Sequence, residues 1–233
     1  MKHSFEPQLF TLKVRLRDKH AAELNRQARA VNYVWNYCNE TQMKAVKSGR
    51  KWLTGYDLQK LTAGSSKELQ LGAQTIQKVC DQHECSRRQH KKPWIRFRGR
   101  KSLGWVPFKQ GSVTVRASGM VAFRGCLYET MHWRDLPEGV IIRAGSFNCD
   151  ARGRWYINMP VEFPTANYAP NTHVGIDLGL KTLVTLSNDA RIEMPSFYRA
   201  SETNLGSTQR ARKTKRTRAI HAKVRNRRRD YLH

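Results

Sequence analysis

One carboxylate sits where phosphate chemistry would need it. In the stretch His173-Val174-Gly175-Ile176-Asp177-Leu178-Gly179-Leu180-Lys181 an apolar run carries a single aspartate, and a second apolar run follows from Thr182 to Leu186. A carboxylate inside a buried strand is costly unless its charge is compensated. A divalent cation is one compensator, because two-metal cleavage of phosphodiesters holds its ions on carboxylates that face the attacking and leaving oxygens. A phosphate-gripping hairpin of ATPase type is the other. That hairpin wants Ser or Thr after the glycine, and Leu180 and Lys181 stand there instead. The bland alternative is an edge aspartate hydrogen-bonded locally, with Gly175 and Gly179 as strand-end glycines.

Charge decides between these readings. Lys and Arg number 43 against 18 Asp and Glu, a net +25 with a pI near 10.5. Such a chain needs a polyanion nearby, and nucleic acid fits better than a membrane surface. Arg forks onto phosphate and stacks on bases, and Trp, Tyr and Phe are interleaved with the cations, which suits RNA or single strands. An ATP site would not explain this excess. Cys80, His83, Cys85 and His90 match no zinc-ligand spacing, and read better as core thiols and solvated histidines. The five cysteines are scattered and odd in number. Met1 to Phe10 lacks the pattern of a signal peptide and no apolar run is long enough to span a bilayer, so reduced thiols in the cytosol are expected.

Leu9 to Leu16 alternates as a strand, with Lys13, Arg15 and Arg17 on its polar face. Asp18 is the expected N-cap of a helix whose buried stripe is Leu24, Ala28, Val31, Trp35 and Cys38, ending near Gly49. A loop and short helix follow over Trp52 to Leu61. Ser65 and Glu68 form a predicted capping box for a second helix with Leu69, Ala73, Ile76, Cys80 and His83 on one face, ending near Gln89. From Pro93 the period becomes two. Strands are predicted at Trp105 to Phe108, Ser112 to Arg116, Met120 to Phe123, Val140 to Phe147 and Trp155 to Val161, with turns at Ser118-Gly119 and Asp150 to Gly153. A β-barrel closed by Leu9 to Leu16 is the expectation. Between Glu84 and Glu129 the chain has no acid. Ser201 to His233 has 11 Lys and Arg against Glu202 and Asp230.

Strand, helical insertion, barrel, the Asp177 hairpin and a basic tail, in that order, closely resemble the TnpB (OrfB-type) proteins, relatives of the compact type V CRISPR effectors. The resemblance covers nearly the whole chain. Its sharpest motifs are Gly175-Ile176-Asp177-Leu178-Gly179 and Arg228-Arg229-Asp230-Tyr231-Leu232-His233. Weaker ones are Val31-Asn32-Tyr33-Val34-Trp35-Asn36, Gln74-Thr75-Ile76-Gln77 and Pro93-Trp94-Ile95-Arg96-Phe97-Arg98.

The resemblance implies an α+β multidomain chain: first wedge strand 1–17, helical recognition lobe 18–92, β-barrel wedge 93–164, linker 165–170, and the start of a RuvC (RNase H-like) domain with a basic helical tail at 171–233. It implies an RNA-guided DNA endonuclease with guide RNA and double-stranded target DNA as partners, in the prokaryotic cytoplasm at the nucleoid. Asp177 would be the first catalytic carboxylate and a Mg²⁺ ligand. Tyr56, Gln74 and Gln77 would read a short motif beside the target, amide forks suiting adenine. Arg87, Arg88, Lys91, Lys92, Arg96, Arg98, Arg100 and Lys101 would grip nucleic-acid phosphates. Arg212, Lys213, Lys215, Arg216, Arg225, Arg227, Arg228 and Arg229 would track the guide–target heteroduplex. The family's second and third carboxylates and its four-cysteine zinc ribbon have no counterpart in these residues. The chain is therefore expected to be an N-terminal half, completed by further sequence or a second chain, or else a truncated, cleavage-dead guided binder of repressor type.

Overall fold

The computed structural model describes residues 8–116, 119–131, 133, 135–136, 139–163, 173–179, 182–193 and 195–232. The expected linker 165–170, the first residues of the chain, Ser118, Leu180, Lys181 and His233 lie outside that set. The chain divides into two compact units, Met1–Thr165 and Ala166–His233.

In the first unit β1 (Gln8–Leu16) leads through a 3-10 turn, Asp18–His20, into α1 (Ala21–Lys47). The stripe read from the sequence holds: Leu24, Ala28, Val31, Trp35 and Cys38 are all buried. The helix stops where Gly49 takes φ +70°, a conformation glycine adopts without steric cost. Asp18 is not the N-cap. Its carboxylate accepts from Arg15 at 3.1 Å, and His20 precedes the helix without a side-chain cap. α2 (Gly55–Leu61) carries the real capping box, between Thr54 and Asp57. Ser65 instead donates to the Thr62 carbonyl, and α3 (Ser65–Glu68) is a single turn. The chain breaks there because Gln70 takes φ +48°, so α4 begins only at Ala73 and runs to Gln89.

Seven strands follow: β2 (Trp105–Phe108), β3 (Val113–Arg116), β4 (Met120–Phe123), β5 (Cys126–Met131), β6 (Ile141–Ile142), β7 (Gly145–Cys149) and β8 (Trp155–Phe163). Their order with β1 is β2-β7-β8-β1-β5-β4-β3, with β6 paired to β8, and every pairing is antiparallel. The expected barrel is not closed. β1 lies in the middle of the sheet, between β8 and β5, and among the described residues the end strands β2 and β3 do not pair. Pro107 in β2 lacks a ladder donor, as suits a sheet edge. Side-chain packing links strands that the ladder leaves apart. Phe147 of β7 meets Phe123 of β4 at 5.2 Å and Tyr128 of β5 at 5.3 Å, and Phe108 of β2 meets Phe123 at 6.2 Å. These rings are buried, each contributing about 1.5–3 kcal/mol. The two ends of the sheet therefore share a core without sharing hydrogen bonds.

The second unit is small. β9 (Ile176–Leu178), β10 (Thr182–Leu186) and β11 (Arg191–Glu193) form an antiparallel sheet with β10 central. α5 (Arg199–Arg210) and α6 (Thr214–Leu232) form a helical hairpin. Its turn places Arg212 at φ +51°, and the Lys213 amide donates back to the Thr208 carbonyl at 2.9 Å, closing α5. Leu205 and Thr208 are the buried residues of α5.

α1 and α4 meet at His83, which is fully buried. Its Nε2 lies 3.3 Å from Asn39 Oδ1, and its ring meets the Trp35 indole edge-on at 5.2 Å. Burial, and then the nearby Arg87 charge, push its pKa down to about 4. The unfolded histidine titrates near 6.5, so the unfolded chain binds the extra proton first. Stability is fully present above about pH 6.5 and falls toward pH 4, with a contribution of about 3 kcal/mol. Urea unfolding at neutral pH and near pH 4 should show that loss in the native chain and a smaller one in His83→Gln. Equal losses would contradict this role.

Candidate nucleic-acid interface

After α4 the chain runs as a strap over residues 91–103, and α1 holds it. Asn32, Trp35, Asn36 and Asn39 recur at one-turn spacing along the helix. Asn39 donates to the Ile95 carbonyl at 2.6 Å and accepts from the Ile95 amide at 2.9 Å. Asn36 does the same with Arg98, at 2.8 Å and 2.7 Å. Trp35 Nε1 donates to the Arg96 carbonyl at 3.2 Å. A carboxamide carries one acceptor and an N–H₂ donor, so it copies the edge of a peptide strand. The helix thus pairs with an extended segment as a neighbouring strand would. In the sequence Asn32 and Asn36 belong to the Val31 to Asn36 motif without a role of their own, and Asn39 lies outside it. The missed signal was their spacing beside the buried stripe.

The clamp sorts the strap's side chains. Ile95 and Arg98 face inward, whereas Trp94, Arg96 and Phe97 are exposed. Arg98 lies over Trp35 and Trp105, its guanidinium 5.8 and 5.4 Å from the ring centres. Its Nε donates to Asn32 Oδ1 at 2.6 Å and one Nη to the Leu103 carbonyl at 2.9 Å. Arg87 is only 3 % exposed, donates to the Leu53 carbonyl and faces the Trp52 ring at 5.0 Å. Its guanidinium belongs to the fold, and of the expected phosphate contacts it is the one that burial removes. Arg88 is exposed and paired with Glu84. Lys91, Lys92, Arg96, Arg100 and Lys101 are exposed and, among the described residues, have no carboxylate partner.

The three expected base readers fall on two helices. Tyr56 on α2 is 66 % exposed, with the Lys60 ammonium 4.5 Å from its ring centre. Gln74 and Gln77 on α4 already use their carbonyl oxygens, Gln74 accepting from Ser112 and Gln77 from Lys109 at 3.0 Å. The two glutamines tie α4 to the segment between β2 and β3. Cys80 packs against Cys38 in the core, with the sulfurs 3.7 Å apart, and Cys85 is exposed.

In the second unit Asp177 pairs across β10 with Thr185, which pairs in turn with Arg191. These three share one face. Leu178 and Ile192 flank Val184, and Ile176 flanks Leu186, on the other. The alternation expected of the strand is present, but its burial is not: Ile176 is 66 % exposed and Leu178 74 %. Asp177 is exposed too, and among the described residues its carboxylate has no hydrogen bond or ion pair. Gly179 is sterically required, because a Cβ there would meet the Thr182 carbonyl oxygen at 2.7 Å, whereas Gly175 has ordinary room. Among the described residues no three of His, Cys, Asp and Glu come together. One exposed carboxylate fits a single oxygen ligand of Mg²⁺ and falls short of a two-ion site. No hydrolytic step follows from these residues alone.

The tail closes back on this sheet. Tyr231 Oη donates to the Glu193 carbonyl at 2.9 Å and its ring meets Phe197 at 5.8 Å. On α6 and the turn before it, Arg212, Lys213, Lys215, Arg216, Arg225, Arg227, Arg228 and Arg229 are all exposed. The ion pair Arg229–Asp230, at 3.6 Å, is the one found for them among the described residues. No helix among the described residues is long and apolar enough to cross a membrane.

No protein-family model matches the chain. It is similar to a protein of Streptomyces pristinaespiralis named "Putative RNA-guided DNA endonuclease", with 27 % identity over 93 % of this chain. The chain spans 60 % of that relative's length.

The clamp should be measurable on its own. Asn39→Ala leaves the Ile95 amide and carbonyl and the His83 ring without partners, at a cost of roughly 2–4 kcal/mol. Urea unfolding should show that loss, and trypsin should cut at Arg96, Arg98 and Arg100 faster than in the native chain. A native unfolding midpoint with a native cleavage rate would contradict the clamp.

Proposed function

We propose that this chain is the nucleic-acid-binding, N-terminal part of an RNA-guided DNA endonuclease of TnpB type. Guide pairing would select the DNA, and the helices around Tyr56, Gln74 and Gln77 would read a short flanking motif. The observation that carries this reading is the set of exposed cations on the strap and on α6, among them Lys91, Lys92, Arg96, Arg100, Lys101, Lys215, Arg216, Arg225, Arg227 and Arg228, which among the described residues have no carboxylate partner, in a chain of net +25. Ordinary surfaces offset their cations with neighbouring acids, whereas these need phosphate. The similarity to a relative of that name supports the same class. In this reading the curled sheet is the wedge, α1 to α4 are the recognition lobe, and Asp177 lies on the first strand of a RuvC domain, in a cytoplasmic, nucleoid-associated protein.

Asp177 would supply one oxygen ligand to Mg²⁺, and the ion would stabilise charge on phosphodiester oxygens and activate water. The remaining acids, and any zinc ribbon, would lie outside these residues. The exposed apolar face of Ile176, Leu178 and Ile192 supports that view, since such a face is stable only when covered. A guided binder without cleavage is the second reading for these residues by themselves, because among the described residues Asp177 belongs to no cluster of three His, Cys, Asp or Glu.

Both readings meet one experiment. In a protein extended to its relative's length, Asp177→Ala should abolish cutting of guide-matched DNA and leave guided binding nearly unchanged. Retained cutting would overturn the role of Asp177. If no extension of this chain cuts but guided binding persists, the binding reading stands alone.

A further inference from the structure

Between the strap and the α1–α4 pair lies a cavity of about 800 Å³. Its walls include Trp35, Phe97 and Leu103, and its cations are Lys92, Arg96, Arg98 and Lys101. Among the described residues no Asp or Glu lines it. A second, smaller cavity shares Trp35, Ser86, Arg98 and Leu103 with it and continues toward Asn148, so the two form one groove.

Arg98 is the unusual member. Its guanidinium is held by an amide, a carbonyl and two indoles, all neutral, and among the described residues no carboxylate pairs with it. Burial alone lowers its pKa from the usual guanidinium range. A half-buried cation with no counter-ion, opening on a cavity, is set for an anion from outside. Beside it, Phe97 is 46 % exposed on a backbone that Asn36 and Asn39 fix. A large ring left in water on a rigid segment costs hydration free energy in the free protein. It also gives a flat partner a surface with little ordering entropy left to lose.

We propose that this groove binds one unstacked nucleotide of single-stranded RNA, its base against the Phe97 ring and its phosphate on Arg98, with Lys92 and Lys101 on the adjoining phosphates. A duplex cannot present a base face to Phe97, which is why the ligand is a single strand. An acidic peptide would satisfy the cations and leave the ring unused. This proposal rests on the nucleic-acid reading above and assigns a subsite within it.

The test uses the full chain and a fluorescent oligouridylate of about eight nucleotides, beside an abasic oligomer of the same length and charge. Native protein should bind the uridylate about tenfold more tightly than the abasic oligomer. Phe97→Ala should erase that preference while leaving the salt dependence in place, and Phe97→Trp should restore it. Irradiated 5-iodouridine oligomers should cross-link at Phe97, and a short polyglutamate should fail to compete. Equal binding of the two oligomers, cross-links only at other residues, or displacement by polyglutamate at equal charge would overturn the subsite. Those outcomes leave the broader reading intact if binding still weakens steeply with salt. Binding of neither oligomer would remove both. Since Phe97 is partly exposed, an unchanged unfolding curve for Phe97→Ala separates lost stacking from lost fold.

Discussion

The pairing of asparagine amides with a peptide edge is the interaction on which the first unit depends. The strap over residues 91–103 must cross from the helical insertion into the sheet, and an extended segment leaves its amides and carbonyls needing partners. Among the described residues no strand of the sheet supplies them at Ile95 and Arg98. Asn36 and Asn39 on α1 do, with both groups of each carboxamide used. His83 then rests against Asn39, and Trp35 and Trp105 close over Arg98. Helices, strap and β2 are joined through this polar seam.

The same seam sorts the cations. Arg87 and Arg98 are turned inward and coordinated by carbonyls, amides and indoles, while Arg96, Arg100 and Lys101 are left in water. A strongly basic chain repels itself in the folded state. Acids offset part of this repulsion, Glu129 on Arg17 and Lys19, Glu162 on Arg143 and Glu23 on Arg26, whereas among the described residues Arg96, Arg100 and Lys101 on the strap have no carboxylate partner. Among the described residues, most cations of the strap and of α6 are left without a carboxylate partner.

Much of the fold was legible in the sequence, and the exceptions share a cause. Leu24, Ala28, Val31, Trp35 and Cys38 read as one buried stripe because helix period and burial coincide along one element. The hairpin at Asp150 to Gly153 read correctly because its turn chemistry is local. Barrel closure failed because it depends on which distant strands pair, and aromatic packing between Phe147, Phe123 and Tyr128 substitutes for a ladder. β5 (Cys126–Met131) was missed, since Cys126 and Leu127 both face water and blur its alternation. At the candidate site, arginine type alone could not separate buried Arg87 from exposed Arg96. Nor could alternation around Asp177 reveal that its strand lies uncovered, because burial is set by what packs against a strand rather than by the strand itself.

The central claim is that these residues hold guide RNA by their phosphates. The most direct measurement is to purify the native chain from cells at low salt and sequence the RNA that accompanies it, then repeat the purification with Arg96, Arg100 and Lys101 changed to Gln. The account predicts a narrow population of one or a few RNA species, released steeply as salt rises and depleted in the variant. A protein that comes away without RNA, or with RNA in the proportions of the whole cell, would contradict it.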